Sequence, residues 1–357
     1  MARPPPSVLD ETTRGLLPLG RREGDGEEGG PTAHVGVHRA PDGSDGAPLR
    51  VDVDGPHAAL VVGKRGYGKS YTLGVLAEEL ARTDGVAPVV VDTMGVFGGL
   101  TATATGDPVP AERARPSVPA GDLPPRAWCS VLGLDPTDAV GTLVWRAAER
   151  AETLPSMRTF VDDAAAERAT RRAAENHLSL AADWGVFGGD GLGLLDGPVS
   201  VLDVAGLDRA PANVVVRAVA ERLYDARVEE EGPLPWLLVD EAHVFFDGVA
   251  ASGLRTLLTR GRGPGVSLVL ATQRPSAVPE VVPSQSDLLF VHRLTGRPDR
   301  AAVERARPTY ANDPIADRTP ARPGEVTVVD DATEAVHAAR VRERDTPHEG
   351  ESPSVRD

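Results

Sequence analysis

Gly63-Lys64-Arg65-Gly66-Tyr67-Gly68-Lys69-Ser70 is the stretch whose reading decides the fold. It follows the apolar run AALVVG (58–63) and opens a helical pattern over 69–82. The spacing G-x-x-x-x-G-K-[ST] between a strand and a helix is that of a phosphate-binding loop. Its glycines let backbone amides turn inward around phosphate oxygens at a helix N-terminus. Lys69 places a point charge between the β- and γ-phosphates, and the Ser70 hydroxyl ligates Mg²⁺. Arginine, with its bulkier planar fork, replaces such a lysine poorly. The chain holds only two lysines, Lys64 and Lys69, and all its other Lys/Arg positions are arginine. Lysine at 69 therefore supports the role, whereas Lys64 reads as an exposed loop charge. The nucleotide-binding set is Gly63, Arg65, Gly66, Tyr67, Gly68, Lys69, Ser70 and Tyr71, with ATP and Mg²⁺ as cofactors.

Outward from this loop, short apolar runs alternate with helical segments. Strands are expected at 58–63, 87–95, 199–207, 235–242, 267–273 and 288–294, with a terminal pair at 325–330 and 335–341. Val/Leu runs without polar alternation indicate strands covered on both faces, hence an α/β fold with a largely parallel central sheet. Helices are expected at 69–82, 211–230 and 249–260, with Pro211 in a first turn. Residues 100–198 interrupt the pattern as a helical insertion: a loop, then helices at 137–151 and roughly 156–183. Trp128, Trp145 and Trp184 read as its packing anchors. Ahead of the loop, residues 33–54 suggest a short hairpin within a β element spanning 32–57. Alternation around Gly36 places His34 and His38 on a strand rather than in a metal site. Residues 1–31 and 343–357, rich in Pro, Gly and charge, read as disordered tails, which leaves 58–342 as the nucleotide-binding domain.

Three further stretches carry chemistry. Trp236-Leu237-Leu238-Val239-Asp240-Glu241 ends a buried strand in two carboxylates: Asp240 suits a Mg²⁺ contact, and Glu241 suits polarising the attacking water. Gln273, in Ala271-Thr272-Gln273-Arg274-Pro275, ends another strand where an amide can touch the γ-phosphate or the lytic water. Arg260 and Arg262 stand on a Gly-rich loop (RGRGPG), where one of them can serve a neighbouring subunit as an arginine finger; Arg262 is preferred. Asp92 and Asp203 also end strands, and each suits either a place behind Mg²⁺ or capping of the turn that follows.

Composition narrows the class. The chain has 357 residues, and 53 Asp+Glu against 38 Lys+Arg give a net charge of −15. No apolar run reaches the ~18 residues of a membrane span, and MARPPPSVLD lacks the apolar core of a secretory signal. One cysteine, Cys129, excludes an internal disulfide. The expectation is a soluble cytoplasmic protein without a membrane partner. Its acidic, Lys-poor composition looks halophilic, suited to a high-salt cytoplasm.

These residues resemble the HerA/FtsK superfamily of ring-forming P-loop ATPases, in its HerA-like branch. The resemblance rests, in order, on ALVVGKRGYGKSYTLGVLAEEL, VVVDTMGVF, VSVLDVAGL, PWLLVDEAHVF and GRGPGVSLVLATQRPSAVPEVVPSQSDLLFVHRL, across most of residues 50–300 outside the insertion. It implies a RecA-like domain, ATP hydrolysis, a homo-oligomeric ring such as a hexamer, and movement along double-stranded DNA. It carries Lys69 and Ser70 over as nucleotide residues, Asp240 and Glu241 as the metal and water pair, Gln273 as sensor and Arg262 as the trans finger. HerA-like translocases begin with a β-barrel that serves ring assembly and docking of a nuclease partner; residues 33–57 are too few for one. Two other readings remain open: a nucleotide-dependent scaffold or switch that moves nothing, and a motor of mobile-element or protein transfer machinery.

Overall fold

The computed structural model describes residues 17–21, 29–40, 42–102, 108–188, 199–229, 232–311, 314–315 and 320–349. Much of the two expected tails, 1–16, 22–28 and 350–357, lies outside them. Among the described residues eleven strands form one sheet: β1 (Thr32–Arg39), β2 (Asp45–Asp52), β3 (Ala58–Val62), β4 (Val86–Asp92), β5 (Ala111–Ala114) and β6 (Val199–Asp203), then β7 (Leu234–Val239), β8 (Ser267–Thr272), β9 (Leu288–Val291), β10 (Glu325–Asp330) and β11 (Ala335–Val341). The helices that matter here are α1 (Lys69–Ala81), α2 (Pro125–Val131), α3 (Ala139–Arg150), α4 (Leu154–Asp163), α5 (Arg168–Asp183), α6 (Arg209–Val228) and α7 (Ala250–Arg260).

The strand order is β2-β1-β11-β10-β9-β3-β8-β7-β4-β6-β5. From β9 to β5 every neighbouring pair is parallel. From β9 back to β2 every pair is antiparallel. The hairpin expected at 33–54 is therefore the outer edge of the central sheet, joined to it through β11.

Continuous apolar runs demand cover on both faces because strand side chains alternate. Ala59 and Val61 enter one core with Leu73, Leu76 and Leu80 of α1, while Leu60 and Val62 enter the other with Val215, Val219 and Leu254 of α6 and α7. The insertion joins that second core through Trp128, Met157, Val161 and Leu178. Trp128 is fully buried and stacks on Phe187 at 4.7 Å.

Two findings refine the sequence expectation for the insertion. Residues 111–114, read as loop, form β5 at the sheet edge beside β6. The single helix expected over 156–183 is two, α4 and α5. In one unbroken helix Met157 and Ala174 would point about 100° apart; the break at 164–167 turns both into one core. A capping box between Thr153 and Ser156 starts α4.

Described parts of the tails are packed. Leu19 is buried and bridges to Val51, and Arg21 pairs with Asp52. Residues 343–349 run across α1. Glu78, wholly buried, accepts the amides of Asp345 (3.1 Å) and Thr346 (2.9 Å) and the Thr346 hydroxyl (2.6 Å). Arg342 and Arg344 neutralise it.

Candidate nucleotide site

The C-terminal ends of β3, β8 and β7 lie side by side, with β8 in the middle. The phosphate loop leaves β3, Gln273 follows β8, and Asp240-Glu241 follows β7. Parallel sheets bind ligands at this edge.

Within the loop, Gly66 (φ 78°) and Gly68 (φ 111°) hold left-handed backbone that turns the amides inward. Gly63 is required for a different reason: a Cβ there would meet Cβ of His292 at 2.6 Å. Lys69 is 5% exposed, and its Nζ donates to the Lys64 carbonyl at 3.5 Å. Among the described residues Lys69 forms no ion pair, and burial lowers its pKa against the pull of Glu241 and Asp240. Arg65 is exposed. Tyr67 lies with its ring under Lys64 Nζ at 4.4 Å, so Lys64 is stacked rather than free. Tyr71 turns away from the loop: its hydroxyl accepts the Arg344 amide at 2.7 Å and its ring edges His348.

Asp240 is fully buried. The Ser70 hydroxyl donates to its Oδ2 at 2.8 Å, and the Glu241 amide donates to Oδ1 at 2.9 Å. Burial pushes its pKa up to about 6, with Glu241 adding to the rise and the Ser70 bond opposing it. Burial acts upward on Glu241 as well, but His243 and Lys69 outweigh it and hold that carboxyl below its ordinary value. The two acids are thus driven apart, as in sites where neighbouring carboxylates take different roles. Glu241 has φ 46°, uncommon for a side chain other than Gly or Asn. Its Oε2 is buried without a hydrogen bond and lies 3.3 Å from His243 Nδ1. A buried carboxylate short of positive charge beside a hydroxyl suits a divalent cation, and a carboxylate oxygen next to it that accepts no hydrogen bond suits a water. Ser70 and Asp240 are therefore the residues that fit Mg²⁺.

Gln273 shares with Glu241, His243, Met94 and Arg274 the wall of a cleft of about 600 Å³. Arg262 is exposed in the loop that enters β8 from its N-terminal end. Six strand residues separate that end from Gln273, roughly 20 Å. Arg262 and Arg260 thus stand on the edge of the sheet away from their own phosphate loop. Asp92 caps its turn, accepting the amides of Met94, Gly95, Val96 and Phe97. Asp203 pairs with Arg113 and accepts the Ala205 amide.

Four residues escaped the sequence reading: Thr72, His243, Thr272 and His292. His243 Nδ1 is 3.1 Å from Thr272 Oγ1, which ties the Glu241 segment to β8. A histidine in the apolar run LLFVH was a usable signal, since a polar ring in a doubly covered strand needs partners.

Strand order, loop and carboxylate pair together define a P-loop nucleotide-binding domain. No family profile and no curated protein matches the chain. Among solved structures it is similar to VirB4 of Thermoanaerobacter pseudethanolicus, with a TM-score of 0.66 at 15% identity, covering 89% of this chain and 97% of that one. Looser likenesses are to EccC of Thermomonospora curvata, its ATPases 2 and 3 in complex with a signal sequence peptide (TM-score 0.48, 18% identity, 98% of this chain and 50% of that one), and to the genome packaging NTPase B204 of Sulfolobus turreted icosahedral virus 2 in complex with AMP (TM-score 0.43, 12% identity, 80% and 97%). The likeness to VirB4 is one of fold. Among the described residues no helix is long and apolar enough to cross a membrane.

Proposed function

We propose that the chain is an ATP-hydrolysing P-loop motor that works as a homo-oligomer with double-stranded DNA as its track. The observation that carries hydrolysis is the contact of Ser70 with Asp240 beside an ionised Glu241 whose Oε2 accepts no hydrogen bond. In this reading the loop amides and Lys69 bind the phosphates, and Ser70 and Asp240 would hold Mg²⁺, which when bound would neutralise charge developing on the phosphates. Glu241 orients and polarises the attacking water, and Gln273 reports on it from the neighbouring strand. Oligomer formation is supported by Arg262, which stands too far from its own loop to act there and is free to serve a neighbour. Duplex DNA as the track is supported by the sequence resemblance to HerA-like translocases.

The test is ATP binding and turnover with and without duplex DNA. Lys69→Ala should weaken ATP binding by about tenfold or more, while Lys64→Ala does little. Glu241→Gln should bind ATP normally and turn it over far more slowly, since it removes only a transition-state interaction. Equal losses in both lysine variants, or full turnover in Glu241→Gln, would overturn the assignment of roles. Turnover indifferent to DNA would overturn the track and direct attention to a polypeptide.

A further inference from the structure

His292 follows β9 and is wholly buried. Its amide continues the parallel ladder by donating to the Val62 carbonyl at 2.8 Å, which sets the ring beneath the phosphate loop. A Cβ on Gly68 would come within 3.2 Å of the ring's Cε1. Nδ1 lies 2.9 Å from the carbonyl of Glu325, at the start of β10. A carbonyl only accepts, so Nδ1 carries a proton. Nε2 lies 3.0 Å from Thr72 Oγ1, one turn into α1. The Thr72 hydroxyl also lies 2.9 Å from the Gly68 carbonyl, so its one proton is shared between that carbonyl and Nε2, which in a neutral ring protonated at Nδ1 only accepts. Burial lowers the pKa of His292 to about 4, and the charge of Lys69 adds to this, so the ring is neutral at ordinary pH. A second set of contacts joins the same two regions. The Gly324 amide donates to the Tyr67 carbonyl at 3.4 Å, and Arg293 donates to the Ala321 carbonyl at 3.0 Å while lying 5.6 Å from the Tyr67 ring.

We propose that His292 is a positioning residue for the nucleotide, a neutral imidazole that pins the first turn of α1 to β10 and so holds the phosphate loop open in its amide nest. The inference rests on the ATPase reading of the loop. Nucleotide phosphates draw on the amides of that turn, so their arrival changes the Thr72–His292 bond and is felt at residues 321–325. A neutral ring suits this place because a protonated Nε2 would set a second cation beside the charge of Lys69.

Two measurements test this on the full chain with MgADP as probe. Thr72→Val keeps the side-chain shape and removes the donor; it should weaken ADP binding by about tenfold, and Thr72→Ser should restore it. Added to Thr72→Val, His292→Asn should cost little more, because the bond between the two side chains is already gone. Histidine ¹⁵N spectra should show a neutral, Nδ1-protonated ring that is missing in His292→Asn and shifts when MgADP binds. A Thr72→Val variant that melts earlier but binds ADP as tightly as wild type, with no nucleotide shift in the His292 signal, would overturn the inference. Failure of wild type itself to bind ADP would instead overturn the ATPase reading.

Discussion

Replacing His57 with Gln should remove most of the protein's loss of stability between neutral and mildly alkaline pH. His57 precedes β3 at the edge of the sheet away from the nucleotide site. It is 5% exposed, with Nδ1 at 2.9 Å from Asp287 Oδ2 and Nε2 facing Asp52 Oδ2 at 3.9 Å. Burial opposes its charge, but the two carboxylates win and raise its pKa from 6.5 to about 9. The folded chain therefore holds a proton that the unfolded chain releases, and stability must fall as pH rises. The contribution is complete below the unfolded pKa of 6.5 and is lost as pH passes through about 9. At about 1.4 kcal/mol per pKa unit it amounts to roughly 3 kcal/mol in acid, with about 2.5 kcal/mol still present at pH 7 and almost nothing at pH 9.5.

Few other shifted groups interfere in that window. Asp240 near 6 and His292 near 4 act below it. Tyr310, raised by burial and by Asp331, acts above it. Urea unfolding across this range should show wild type losing roughly 2 kcal/mol more than His57→Gln. Trp236, with its ring centre 5.8 Å from that of His57, offers a local fluorescence probe of the same titration. Parallel pH profiles for the two proteins would refute the reasoning, because they would mean that His57 is not protonated in the folded chain.

Glu78→Ala would leave the buried guanidinium of Arg344 without its carboxylate; it should cost roughly 3–5 kcal/mol and release residues 343–349 to proteolysis, and unchanged cleavage would refute the claim that Glu78 holds this segment on α1. Arg262→Ala should bind ATP normally yet lose ~10³-fold or more in turnover if it is a trans finger. Mixing it with Glu241→Gln subunits should restore activity at interfaces where an intact finger meets an intact Glu241, and no recovery would favour a scaffold that moves nothing.

The parts of the fold legible in the sequence are those set by neighbours along the chain. Strands β3, β4, β7 and β8 announce themselves because burial on both faces leaves polar residues only at their ends. The phosphate loop is legible because its glycines answer a local backbone need. Residues 343–349 were illegible because they are held by polar partners rather than apolar ones. Thr346 reaches a glutamate 268 positions away, and composition registers that segment only as loose and charged. His292 and Thr72, 220 positions apart, escaped for the same reason. Each is unremarkable locally, and only the parallel pairing of β9 with β3 sets one above the other.

Three aspartates end adjacent strands at the nucleotide edge, and Glu241 beside Asp240 does not by itself explain why that one suits a cation best. Lone pairs do. A carboxylate offers about four acceptor sites. Asp92 gives its own to four amides of the turn at 94–97. Asp203 spends its capacity on Arg113 and the Ala205 amide, and its side chain is 29% exposed, so solvent satisfies the remainder. Asp240 receives one hydroxyl and one amide, is shut off from solvent, and stays short of positive charge. The difference arises downstream of each aspartate. The turn after β4 folds its amides back onto Asp92, whereas after β7 the backbone enters left-handed φ at Glu241 and leads the next amides away. Asp240 is thus the one of the three that is both shut off from solvent and left with acceptor sites its turn does not fill, the carboxylate that would suit a cation.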